Sequence, residues 1–226
     1  MATLDAVPTL PNPLSHENPP TRNARIAQIS PWVIYLLRTT IESNVHYESQ
    51  LHGPIGVFLE SIFPQRRQFM SIAQAALREV INPEDMDDDL SNTSFGSTGG
   101  EHRSRNVPGQ ETNKLLPDFL TVKVILRPSN LPREYRIITV VELKRNDDDQ
   151  AKSEAQMLRY MMRIDQIAAP DNNFRGFLVM QDNVQVYGYS GYGANRMAEI
   201  VNEYNIFTPG NHFTTDLTDI AIAYWN

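Results

Sequence analysis

The chain contains no cysteine, which excludes disulfides and thiolate metal sites. No stretch approaches the roughly 18 apolar residues of a membrane-crossing helix. The first residues show no basic region leading into an apolar run, so no secretory leader is predicted and cytoplasm or nucleus is the expected location. No segment recurs at a fixed period. Positive charge is also short: 20 Lys and Arg stand against 27 Asp and Glu, a formal net charge of -7. Proteins that hold duplex DNA through its phosphates carry a basic surface. The balance therefore counts against a high-affinity binder of that kind and leaves a local basic patch as the alternative. Much of the acidity lies in two short runs, Asp85 with Asp87, Asp88 and Asp89, and Asp147 to Asp149.

What is present describes a folded chain. With 226 residues, 41% of them hydrophobic, and a mean hydropathy of -0.40, the sequence suits one domain of moderate size with a sizeable core. Residues 1–22 carry five prolines and few large apolar groups, and read as a disordered lead-in. Residues 23–226 then read as one domain, with an acidic and Ser/Thr/Gly/Asn-rich insert at about 82–112 that is expected to be mobile.

Helical spacing runs from Ile26 to Asn44, with Ser30-Pro31 placed as an N-cap followed by proline in the first turn. A second helix is expected over residues 45–63, interrupted near Gly53-Pro54 and stopped by Pro64. Residues 69–80, "FMSIAQAALREV", carry both strand and helix signals and are read as a strand with helix as the alternative. Two further strands, 117–126 and 136–144, are joined as a hairpin by "RPSNLPRE". A helix over 150–164 shows an apolar stripe of Ala151, Ala155, Leu158 and Met162. Strands at 174–180 and 184–189 follow, and the tyrosines of "VYGYSGYG" read as sheet packing, with base stacking as the alternative. This order predicts an α/β domain with a central mixed sheet flanked by helices.

The chemistry begins in "ITVVELKRNDDDQ", residues 138–150. Ile138 to Val141 suit a buried strand, and Glu142 and Lys144, two apart, share one face of it. An acid and a base at the inner end of a strand are costly to bury without a purpose. In "LLPDFLTVKVIL", Asp118 opens the partner strand, so antiparallel pairing would bring it beside Glu142. Two carboxylates and a backbone carbonyl make a hard-oxygen site for Mg²⁺ or Mn²⁺, and a neighbouring lysine can orient water or offset phosphate charge. The plain alternative is a solvated Glu–Lys pair on an edge strand, worth little.

Pro117-Asp118, a gap of 23 residues, and Glu142-Leu143-Lys144 together resemble the PD-(D/E)xK motif of the restriction-endonuclease-like nuclease superfamily. "QMLRY", Gln156 to Tyr160, resembles the QxxxY element of RecB-like and lambda-exonuclease-like members. The likeness spans about residues 45–190. "LHGPIGVFLESIFP" followed by "FMSIAQ" is similar to fungal proteins of the same superfamily, with Ile55 where an aromatic is expected.

The resemblance implies a restriction-endonuclease-like core and a divalent-metal-dependent nuclease acting on DNA in preference to RNA, with a homodimer allowed. It implies metal ligands Asp118, Glu142 and the Leu143 carbonyl, with Lys144 at the attacking water and phosphate and Gln156 orienting Lys144 or substrate. Glu60 on the preceding helix would complete the metal site, with Glu48 and His52 as competitors. Tyr160, Arg159 and Lys152 would face substrate, although a solvated helix face explains their charges equally well. Asp147 to Asp149 read as a charge cluster at a helix N-terminus. A catalytically degenerate binding or scaffold module of the same fold is the other reading.

Overall fold

The structure is a computed structural model that describes residues 18–43, 49–75, 77, 115–125, 134–145, 147–191, 193–207 and 212–226. The proline-rich lead-in through residue 17, the polar insert at 82–112 and Glu48 lie outside the described residues.

Among the described residues six strands form one sheet in chain order: β1 (Phe69–Ala73), β2 (Phe119–Ile125), β3 (Glu134–Lys144), β4 (Arg175–Met180), β5 (Asn183–Ser190) and β6 (Met197–Asn205). Each neighbouring pair is antiparallel except β3 and β4, which are parallel. A parallel pair needs a long crossover, and helix α4 (Gln150–Ala168) supplies it. The sheet is therefore mixed, with helices on both faces.

On one face lie α2 (Pro31–Glu42), α3 (Ser49–Ile62) and α5 (His212–Ala223), packing Ile55, Phe58 and Phe213 on Val141, Leu143, Phe177 and Val179. On the other, α4 packs Met157, Met161 and Ile164 on Val140 and Leu178. The short α1 (Arg22–Ile26) carries a buried arginine, Arg25, which donates to the Ser61 and Ile62 carbonyls in the last turn of α3. A cation at a helix C-terminus satisfies carbonyls that the helix itself leaves open.

Three expectations need correction. Helix α3 runs unbroken through Pro54. Proline removes one backbone bond near the helix start, while Ile55, Phe58, Leu59 and Ile62 downstream bury at helical spacing and outweigh that loss. Pro31 does start α2 with Ser30 at the N-cap position, as expected; what differs is that the Ser30 side chain makes no cap bond. The buried stripe of α4 is Ser153, Met157, Tyr160, Met161 and Ile164, and Met162 is 59% exposed. Stabilisation scales with apolar area removed from water, so the larger Met157, Met161 and Ile164 take the core side ahead of two alanines.

One irregularity sets up the site. Thr121 pairs with Thr139 and Val122 with Ile137, leaving Ile138 as an extra residue on β3. This bulge turns Ile138 toward α3 and α5, while Ile137 and Val140 both face α4. Glu142 and Lys144 keep step with Val140 and so lie on the α4 side.

Close seating of α4 depends on Gly176. A Cβ there would meet Met157 Cε at 2.2 Å and Met161 Sδ at 2.8 Å, both fully buried. Gly176→Val should destabilise the protein by about 1–3 kcal/mol, the usual cost of overpacking. Urea denaturation measures this, and unchanged stability would show that α4 is not held against β4 at this point.

Candidate functional site

Proline has no N–H to donate, and Pro117 marks the end of the β2–β3 ladder. Phe119 and Val141 are the last residues paired through the backbone, so Asp118 comes opposite Glu142. Side chains build the next rung. The Asp118 N–H donates to Glu142 Oε2 at 3.2 Å, and the Leu143 N–H donates to Asp118 Oδ2 at 2.7 Å. A strand residue directs its N–H and C=O to the same side, so the Leu143 carbonyl also lies on the Asp118 side. Both acids are buried, Asp118 at 6% and Glu142 at 2% exposure.

Helix α4 fixes the other oxygen of Glu142. Asp149 caps the helix by accepting the Lys152 N–H at 3.1 Å, and Asp148 accepts the Arg145 N–H at 2.9 Å in the turn before it. These bonds set where Gln156 falls. Its amide nitrogen donates to Glu142 Oε1 at 2.8 Å and to the Tyr160 hydroxyl at 2.5 Å. Tyr160 in turn donates to the Leu116 carbonyl at 3.1 Å and so ties down the segment leading to Asp118. The Lys144 ammonium meets Glu142 Oε1 at 2.7 Å and is itself mostly buried.

Helix α3 closes the site from the opposite layer. His52 sits edge-on to Phe119, with ring centroids 5.7 Å apart. Its Nε2 stands 2.9 Å from Asp118 Oδ1. The distance is that of a hydrogen bond, yet the alignment is not: Nε2 is buried and makes no hydrogen bond. Adjacent ligands of an octahedral cation with bonds of about 2.1 Å stand about 3 Å apart, so this pair has the spacing of two ligands to one ion. Glu142, by contrast, is turned toward Lys144 and Gln156. Among the described residues no group of three or more His, Asp or Glu side chains is gathered around a common point as for a metal.

Burial pushes the Glu142 carboxyl up to about 7, and the Asp118 charge adds to the rise, while the hydrogen bond and charge of Lys144 oppose it. Burial also raises the Tyr160 phenol, with the Glu142 charge acting in the same direction. The phenol therefore stays protonated and remains a donor at neutral pH.

The sequence-predicted residues do not all come together. Asp118, Glu142, Lys144 and Gln156 meet, but Gln156 holds Glu142 and makes no bond to Lys144. His52 joins them, whereas Glu60 does not. Glu60 is exposed and lies two turns further along α3, about 12 Å by helical rise. Tyr160 is buried with its hydroxyl spent within the protein, so it supports the site wall and offers substrate nothing. Lys152 and Arg159 lie on the exposed side of α4, with Lys152 3.5 Å from Asp149. Asp147 and Asp148 face Arg145, and only Asp149 acts at the helix start. Tyr187 and Tyr189 pack in the sheet layer, Tyr187 donating to Gln185 and Tyr189 to the Met161 carbonyl. Comparison with known proteins finds no family model, no curated protein and no solved structure that matches this chain.

The raised Glu142 pKa has a thermodynamic consequence. Folding favours its protonated form, so its contribution is fully present below about pH 4.5 and is lost as pH rises to about 7. A rise of this size corresponds to about 3 kcal/mol. Between pH 4.5 and 7.5, with chelator present, the wild type should lose about 3 kcal/mol more stability than Glu142→Gln. Urea titrations across that range test this, and parallel pH profiles would contradict the burial of an ionisable Glu142.

Proposed function

We propose that this chain is a divalent-metal-dependent phosphodiester hydrolase acting on nucleic acid, with a restriction-endonuclease-like core. The observation that carries the reading is the meeting of Asp118, Glu142, Lys144 and Gln156 at one sheet end, with the open donors Asp118 Oδ1 and His52 Nε2 beside them. Their order along the chain resembles the PD-(D/E)xK and QxxxY motifs, and the mixed sheet flanked by helices is compatible with that core.

The donors fit a hard cation with mixed oxygen and nitrogen ligands. Asp118 and His52 would hold it, with Glu142 and the Leu143 carbonyl completing the set. Bound Mg²⁺ or Mn²⁺ would supply an acidified water and positive charge toward the phosphate. The remaining work belongs to the side chains. Lys144 carries a cation to where charge develops on the phosphate and restrains the attacking water. Gln156 holds Glu142 in place, and Tyr160 holds the segment that carries Asp118. Burial of both acids strengthens every charge interaction among them.

A second reading is favoured by one feature. Both Glu142 oxygens are already satisfied, by the Asp118 N–H, Lys144 and Gln156. A closed network of this kind can serve as a structural clasp in a binding or scaffold module.

Incubation of the purified protein with single-stranded and duplex DNA and RNA, in Mg²⁺ and in Mn²⁺, separates the two. Cleavage of at least one form is expected, lost with chelator and reduced about 10²-fold or more by Lys144→Ala. That variant removes the counter-ion of Glu142 and should lose some stability at neutral pH, while the Asp118 N–H and Gln156 still hold the carboxyl, so circular dichroism is used to check that it stays folded. A metal-loaded protein that leaves every form uncut would replace the hydrolase by the scaffold reading.

A further inference from the structure

The structure contains a second place where charged groups gather without satisfying one another. A cavity of roughly 380 Å³ opens between α5 and the strands β4 to β6, within the size range of small-molecule sites. It is separate from the Asp118–Glu142 cluster. Arg175, which lines it, pairs with Thr139 on β3, while Glu142 pairs with Leu178, three residues along β4 or about 10 Å. A bulge helps to form it: Tyr187 pairs with Ile200 and Val186 with Asn202, so Val201 is an extra residue of β6. Val201 and Asn202 both line the cavity as a result.

The lining has a definite charge pattern. Arg175 uses Nη1 alone, donating to the Asn172 and Phe174 carbonyls at 2.6 and 2.7 Å. A guanidinium has five N–H donors, so its Nε and Nη2 edge, the edge that grips a carboxylate with two bonds, makes no hydrogen bond among the described residues. Asp216 accepts the Tyr204 hydroxyl through Oδ2 at 3.0 Å and leaves Oδ1 open. Asp219 is already neutralised by Arg22, bonded at 2.5 and 2.6 Å. Arg175 and Asp216 thus remain as one cation and one anion on the same cavity, close enough for Arg175 to influence the Asp216 carboxyl, yet they form no ion pair. Val186, Ile220 and Ala223 supply an apolar surface beside them.

We propose that this cavity binds a small zwitterion of amino-acid type, its carboxylate on Arg175, its ammonium on Asp216 and its hydrocarbon part against Ile220 and Val186. The choice follows from charge balance. A simple anion would satisfy Arg175 and face the Asp216 carboxylate, and a simple cation would do the reverse. Each leaves one partly desolvated charge with no opposite charge in direct contact, which is costly. A molecule carrying both charges satisfies both, and the Asn202 side-chain amide offers a further donor at the rim. The site is independent of the nucleic-acid reading.

Calorimetric titration of the full chain with glycine, L-alanine, L-valine, L-leucine and L-methionine tests the proposal. At least one should bind saturably at millimolar concentration or below. Its deaminated and decarboxylated analogues, each carrying one charge, should bind at least 10-fold more weakly. Asp216→Asn and Arg175→Gln should each weaken binding at least 10-fold. Ala223→Phe, at an exposed helix position that tolerates a larger side chain, should block the cavity without unfolding the protein, as judged by circular dichroism. Absence of binding by all five amino acids would overturn the proposal. So would equal binding of the lone carboxylate, or binding unchanged in Asp216→Asn and Ala223→Phe.

Discussion

The last rung of the β2–β3 ladder is made by side chains, and the site depends on it. Pro117 marks the end of backbone pairing, and the two carboxylates then take the place of carbonyls, each accepting an N–H from the opposite strand. This exchange fixes Asp118 and Glu142 to the sheet rather than to a loop, and a site on rigid elements holds its geometry better. It also explains why two acids can be buried side by side. Each has a backbone donor, and Glu142 has Lys144 and Gln156 as well. Without those partners the burial of either charge would be prohibitive.

The two faces of the sheet contribute different things. Helix α4 approaches Glu142 with Gln156 and Tyr160 and closes that acid into a network. Helix α3 approaches Asp118 with His52 and leaves an oxygen and a nitrogen facing each other without a hydrogen bond. One acid is therefore restrained and the other open. A cation entering at Asp118 and His52 would favour the ionised form of Glu142 and work against the burial that now raises its pKa. Metal affinity and protonation at this site would be coupled for that reason.

Much of the cluster was legible because its spacing is local. Two residues along a strand put Glu142 and Lys144 on one face, and four along a helix put Gln156 beside Tyr160. The hairpin register placed Asp118 opposite Glu142. The choice among Glu60, Glu48 and His52 was not legible, because it turns on how far α3 slides along the sheet, which no local spacing encodes. The stripe of α4 was misread because two sets of residues fit a helical period and only packing against Gly176 and Val140 chooses between them. Strand β6 is exposed along most of its length and carries no clear alternation, while α5 places Thr214 and Thr218 on its buried side, so neither was anticipated. The cavity between them depends on the Val201 bulge, a feature of tertiary pairing.

The proposed function requires Asp118 to anchor a divalent cation where β2 begins. Calorimetric titration with Mn²⁺ at pH 8 tests it most directly, with wild type, Asp118→Ala and Lys144→Ala compared side by side. Saturable binding is expected for wild type and for Lys144→Ala, with loss of that binding in Asp118→Ala. Equal Mn²⁺ affinity in wild type and Asp118→Ala, or no binding to any of the three, would contradict it.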